Sequence, residues 1–107
     1  GTPRAFETDP QALALARLAV GKGLDTGLGK LQRLFVYLPF EHSELVADQE
    51  TSVRLISALG DAELTRFAVR HQEIIARFGR FPHRNAILGR SSTAEEVAFM
   101  SEPDSAF

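Results

Sequence analysis

The sequence predicts an all-α domain: two antiparallel helix hairpins of the tetratricopeptide-like kind plus a short C-terminal helix. Three observations carry this. Apolar residues recur at helical spacing, with Leu64, Phe67, Ala68, His71, Ile74, Ile75 and Phe78 the cleanest stripe. No segment alternates apolar and polar residues with period two, so no strand is expected. A shift of 33 residues lays Leu31, Arg33, Leu34 and Val36 on Leu64, Arg66, Phe67 and Val69, close to the spacing of tetratricopeptide units.

The elements follow from start and stop signals. Residues 1–8 read as an extended lead-in that Phe6 anchors, and the opening glycine in place of methionine points to processing or to a fragment. Thr8-Asp9-Pro10 starts a first helix, a capping side chain standing before proline. Leu13, Ala16 and Val20 with Ala12, Leu15 and Ala19 give it a wide apolar face, and Gly21 and Gly23 end it. After a turn at residues 24–27, Leu31, Leu34, Phe35 and Leu38 define a second helix from about residue 28 to 38, stopped or kinked by Pro39. Phe40 to Glu44 then read as a loop with Ser43 capping a third helix, about residues 44–59. Its expected buried stripe is Val46, Val53, Ile56 and Leu59, with Asp48, Gln49, Glu50 and Arg54 on other faces.

Asp61 caps the fourth helix, which Gly79 ends in the left-handed conformation. Pro82 suits the first position of a short new helix, and Ser92-Thr93-Ala94-Glu95 reads as a capping box opening a last helix through Met100, before Pro103 and a polar tail. Short connections make neighbours in sequence antiparallel neighbours in space. Among the phenylalanines, 35, 67 and 78 are expected in the core, and Phe40 and Phe81, each beside a proline, either there or lining a pocket.

A chain of 107 residues is expected to form a single domain, 1–107, with one core. Zero cysteines exclude disulfides, thiolate metal sites and a cysteine nucleophile, and suit a cytoplasmic protein. No apolar run is long enough for a membrane span and no secretory leader is encoded, so no membrane partner is expected. A net charge of −2 speaks against nucleic acid as a partner. The charge is nonetheless uneven: residues 66–90 hold six arginines against Glu73, and residues 91–107 hold four acids and no base. Arginine outnumbers lysine ten to two, and its planar fork suits bidentate contacts to carboxylate or phosphate.

Function is sought in Arg77 to Arg90. If Pro82 opens a helix, the amides of His83, Arg84 and Asn85 are free donors beside Arg77, Arg80, Arg84 and Arg90, which describes a site for a small anionic ligand or an acidic peptide. The loop His42-Ser43-Glu44 shares the same end of the bundle, so His42, Glu44 and His83 are the candidates for acid–base catalysis. The competing reading is an ion-pair cluster, Glu41 or Glu44 with Arg77 or Arg80, that only ties loops together. His71, on an apolar stripe, reads as a buried neutral histidine bonded to a carbonyl or carboxylate. Metal-ligand spacing is absent, so neither metal nor cofactor is expected, and without Gly-x-Ser-x-Gly a serine hydrolase is not suggested.

The runs Tyr37-Leu38-Pro39-Phe40-Glu41-His42-Ser43-Glu44, Asp48-Gln49 and Arg77-Phe78-Gly79-Arg80-Phe81-Pro82-His83-Arg84-Asn85, with Leu88-Gly89-Arg90-Ser91-Ser92-Thr93 and Glu95-Glu96, resemble a bacterial family, domain of unknown function 924. The resemblance spans nearly the whole chain. It implies a tetratricopeptide-like helical fold and no established activity. Its motifs fall on His42, Glu44, Gln49, Arg77, Arg80, His83, Arg84, Asn85 and Arg90, none with an assigned role. It also implies a further tryptophan- and phenylalanine-rich helical segment upstream, which these residues do not include. Without that cover, the apolar faces of the first two helices are expected to be hidden in a homodimer.

Overall fold

The computed structural model describes residues 9–103, and the expected Thr8 cap and Phe6 anchor lie outside them. Five α-helices follow in chain order: α1 (Asp9–Gly21), α2 (Lys30–Glu41), α3 (Val46–Ser57), α4 (Ala62–Phe78) and α5 (Ala94–Met100), with 3₁₀ turns at Leu24–Gly27 and Pro82–Arg84. No strand occurs among the described residues. Each of the first three helices packs on the next and α2 also touches α4, giving the two stacked hairpins α1–α2 and α3–α4. The body is elongated, 45 × 28 × 22 Å.

The helix ends show local chemistry at work. Asp61 accepts a hydrogen bond from the Leu64 amide at 3.1 Å and so caps α4. Gly79 (φ 72°) closes it in the left-handed region, its amide reaching the Ile75 carbonyl at 2.8 Å. Pro39 does not stop α2, which runs on to Glu41. A proline so near the C-terminus costs one helical bond, and the ladder resumes when the His42 amide donates to Leu38 at 2.9 Å. Phe40 and Glu41 therefore belong to the helix and not to the loop. Helix α3 begins later than expected, after Leu45, and Ser43 is not its cap: the Ser43 hydroxyl accepts from the Leu45 amide and donates to Asp48. The capping box of α5 lies one residue on, between Thr93 and Glu96. Glu96 wins over Glu95 because its carboxylate is also held from the other side by Arg80.

Two apolar clusters make the core. Ala16, Tyr37, Phe40, Leu55, Ile56 and Ala68 form the larger, where the hairpins meet, and Ile74, Ile75, Phe81 and Phe99 form the smaller, which fixes α5 and the preceding loop to the end of α4. Phe40 and Phe81 are thus core residues, whereas Phe35 is not: it is 73% exposed, with Leu31 at 69%. Helix α2 has apolar residues around more of its circumference than α1, α3 and α4 cover, and Tyr37 and Phe40 occupy the buried side instead. In α3, Val46 is likewise exposed, while Asp48 and Gln49 are buried, opposite to expectation.

Their burial follows from bonds that the sequence pattern does not display. The Gln49 side-chain amide donates to the carbonyls of Glu41 and Ser43, both at 2.7 Å, and thereby caps the end of α2. Asp48 takes a two-pronged bond from Arg17 of α1 at 2.8 and 2.9 Å.

Candidate functional site

The Arg77 to Arg90 region folds upon its own glutamates. The 3₁₀ turn at Pro82–Arg84 uses the Arg84 amide on Phe81 O and the Asn85 amide on Pro82 O, both at 3.0 Å, so two of the three amides expected to be free are engaged. The correction has a simple cause: a tight i+3 turn closes its bonds one residue sooner than a full helix would. The amide that does meet an anion is that of Phe81, and the anion is Glu44, at 2.6 Å.

Glu44 is also gripped by Arg90 at 2.9 and 3.2 Å. Burial pushes its carboxyl up, but the bonds from Arg90 and the Phe81 amide, with the field of Arg84, outweigh this and hold it below the usual range. Arg80 forks onto Glu96 at 2.7 and 2.8 Å, and this guanidinium, chiefly, holds Glu96 at about 2. Arg77 reaches the exposed Glu95 at 3.1 Å. The loop of Glu44 and the arginine region do converge at one end of the bundle, with Arg90 and Arg80 as the main partners of Glu44 and Glu96 in place of the Glu41/Glu44 to Arg77/Arg80 pairing the sequence suggested.

Arg84 lies buried with its guanidinium 4.6 Å from the Phe81 ring centre, a cation–π contact. Asn85 is buried and donates to the Ser92 hydroxyl at 3.1 Å. Serine 92 therefore braces a loop and caps no helix.

A second polar group lies beneath. His71 and Glu41 are both buried, with Nδ1 of the ring 3.1 Å from a Glu41 oxygen and 2.7 Å from the Phe67 carbonyl. A carbonyl can only accept, so Nδ1 carries the hydrogen in the neutral ring. Burial raises Glu41 to about 7. Burial, helped by the nearby His42, His83 and Arg84 and opposed by the Phe67 carbonyl, lowers His71 to about 4. Ring contacts run from His42 to His71 (6.1 Å between centres), to Phe81 (5.6 Å) and on to His83 (5.8 Å). The carboxylate that meets a histidine is thus Glu41, which pattern reading treated only as a partner for arginine. The sequence carried one part of this, a buried His71 bonded to a carbonyl or carboxylate, without saying which acid supplies it. No group of three or more histidine, aspartate or glutamate side chains among the described residues is arranged to hold a metal ion.

With this geometry in view, the kinship of the chain can be stated. Residues 1–104 match a family described as bacterial protein of unknown function, DUF924. The chain belongs to this family. A solved structure of a protein of unknown function, ATU0120 from Agrobacterium tumefaciens, is 40% identical and superposes with a TM-score of 0.89 over 94% of this DUF924 chain. The match covers 57% of the Agrobacterium chain, so this chain spans little more than half the length of that relative. A comparison with curated proteins gives no match. No helix of the described residues is long and apolar enough to cross a membrane.

Proposed function

We propose that this DUF924 chain is a helical protein-interaction module whose arginine-rich end is an internal clasp and whose binding surface is the apolar side of α1 and α2. The observation that carries the reading is the engagement of the cations: Arg77, Arg80 and Arg90 each meet a glutamate of the same chain. An added phosphate or carboxylate at this end has to displace Glu44 or Glu96, both of which are already stabilised in charged form. Tetratricopeptide-like stacks bind other chains through surfaces that the fold leaves uncovered, and here Leu15, Leu31 and Phe35 are such a surface. The lack of cysteine supports a cytoplasmic setting for it.

The test is a thermal-shift series with phosphate and carboxylate metabolites on the wild type and on Arg90→Ala and Arg84→Ala. The interaction reading expects no ligand shift in the wild type and a lowered melting temperature in both variants. Stabilisation by a small anion that Arg84→Ala abolishes, with the melting temperature kept, restores the anion site instead.

A second reading, acid–base chemistry, is favoured by one observation, the buried Glu41–His71 contact flanked by His42 and His83. Its expectation is saturable binding of a small molecule that Glu41→Gln removes without unfolding the chain, read by calorimetry.

A further inference from the structure

Between the start of α3 and the later part of α4 the surface closes around a groove of about 230 Å³. Val46, Gln49 and Glu50 belong to its α3 wall, and Glu73, Ile75 and Ala76 to its α4 wall. The charged side chains that line it are both acids, and both are exposed. Unlike the glutamates of the clasp, Glu50 and Glu73 make no ion pair or hydrogen bond with any described residue. Arg70 and Arg77, one turn to either side of Glu73, are turned elsewhere: Arg77 holds Glu95, and Arg70 lies over the Phe99 ring, 5.2 Å from its centre. Val46, Ile75 and Ala76 supply apolar surface beside the two carboxylates.

Gln49 adds an observation of a different kind. It is fully buried, and its side-chain nitrogen is spent on the Glu41 and Ser43 carbonyls at the end of α2, residues that do not line the groove. Its side-chain oxygen has no hydrogen-bond partner among the described residues. In a planar amide the oxygen and nitrogen stand on opposite sides of the carbon that joins them, so the end of Gln49 turned from α2 toward the groove is the acceptor. A buried acceptor without a donor is costly, and a ligand that brings an N–H relieves the cost.

Two carboxylates and an orphaned carbonyl, with no cation among them, call for a cation rich in donors. A guanidinium presents five N–H groups in one plane, enough to serve acceptors on both walls, where an ammonium offers three from a single point. Size narrows the ligand further. The lining spans residues 46–50 and 72–76, about 6 Å along each helix axis, which is the reach of one alkyl stem and too short to hold a peptide segment. A stem of that length covers the apolar residues while its charged head meets the acids.

We propose that the α3–α4 groove binds a free alkylguanidinium, its head on Glu50, Glu73 and the Gln49 carbonyl and its stem on Val46, Ile75 and Ala76. The site lies apart from the α1–α2 surface and stands or falls independently of the interaction-module reading. The probes are butylguanidinium, butylammonium, the neutral isostere butylurea, and a blocked peptide of about nine residues with one central arginine. Each is titrated into the nitrogen-15-labelled chain and followed by the amide resonances, in the wild type and in Glu50→Gln/Glu73→Gln. Both substituted residues are exposed, and circular dichroism checks that the variant is folded.

Butylguanidinium is expected to bind with a dissociation constant of about 1 mM, with shifts confined to residues 46–50 and 72–76 and the neighbouring end of α2. The double variant and butylurea are each expected to weaken binding at least about ten-fold, and added salt to weaken it as well. Equal binding of butylurea, or binding that survives in the double variant, overturns the role of the carboxylates. Butylammonium binding as tightly as butylguanidinium overturns the choice of a guanidinium. Tighter binding of the peptide by about ten-fold or more replaces the free ligand by a partner's side chain, and the absence of any saturable shift up to about 50 mM removes the site.

Discussion

The two ends of this molecule use their side chains in opposite ways. At the α4–α5 end the charges that crowd the sequence are matched by neighbours: Arg90 by Glu44, Arg80 by Glu96, Arg77 by Glu95. At the α1–α2 end few charges occur, and large apolar side chains stand in solvent. Density of functional-looking residues marks the first end, yet the large apolar side chains left most uncovered among the described residues are at the second. Crowded arginines report a site only when the acids that fold against them have been counted.

The strongest way to break this contrast is to open the clasp at its centre. Phe81 is fully buried among Ile74, Ile75 and Phe99 and carries Arg84 on its ring, so Phe81→Ala is expected to lower stability by about 3–5 kcal/mol. Urea unfolding measures this, and a loss no larger than that of an average surface change shows the loop to be independent of the core.

The proton balance of the buried pair sharpens the same contrast. Glu41, raised from 4.5 to about 7, taken alone contributes stability that is full below pH 4.5 and is lost as pH rises through 7. His71, lowered from 6.5 to about 4, taken alone contributes stability that is full above pH 6.5 and is lost as pH falls through 4. Between about pH 4.5 and 6.5 the unfolded chain holds one proton on these two groups, on histidine, and the folded chain also holds one. The slopes cancel, and the pair leaves stability nearly flat there. Removing either member reveals the other: with His71→Gln stability falls, and with Glu41→Gln it rises, by up to about 1.4 kcal/mol per pH unit across that window. Denaturant midpoints measured from pH 4.5 to 6.5 check the opposite signs, and parallel profiles for the two variants exclude a shared proton.

A smaller effect is expected from Glu44→Gln, which keeps the shape but weakens the grip of Arg90 and the Phe81 amide: about 2 kcal/mol by thermal unfolding. Smallest is the other end, where Leu15→Ser and Phe35→Ser should each change stability within about 0.5 kcal/mol. A large loss in either denatures the claim that this face is uncovered in the free chain.

Much of the fold was legible because helical periodicity and caps are local. Asp61, Gly79 and the α4 stripe report on residues three or four positions away, and the 33-residue offset between α2 and α4 follows from the same spacing. What was illegible depends on which side of a helix finds a neighbour. Leu31 and Phe35 satisfy the apolar pattern as well as Tyr37 and Phe40 do, and only the packing of α2 against α1, α3 and α4 decides among them. The site divides in the same manner. Convergence of the His42–Glu44 loop with the arginine region follows from hairpin topology, so it was readable. The pairing of Glu44 with Arg90, 46 positions away, and of Glu41 with His71 depends on side-chain reach across helices, which no periodicity encodes.

Gln49 shows what such a long-range bond does to shape. Its amide finishes α2 in place of main-chain donors, so the bend that turns the first hairpin into the second is held by a side chain. In a stack of hairpins the bend between neighbours sets the pitch of the whole superhelix. Here the junction rests on the Gln49 amide together with the Ser43–Asp48 and Glu44–Phe81 bonds, so a shorter residue at position 49 of α3 removes two of the bonds that fix how one hairpin follows the other.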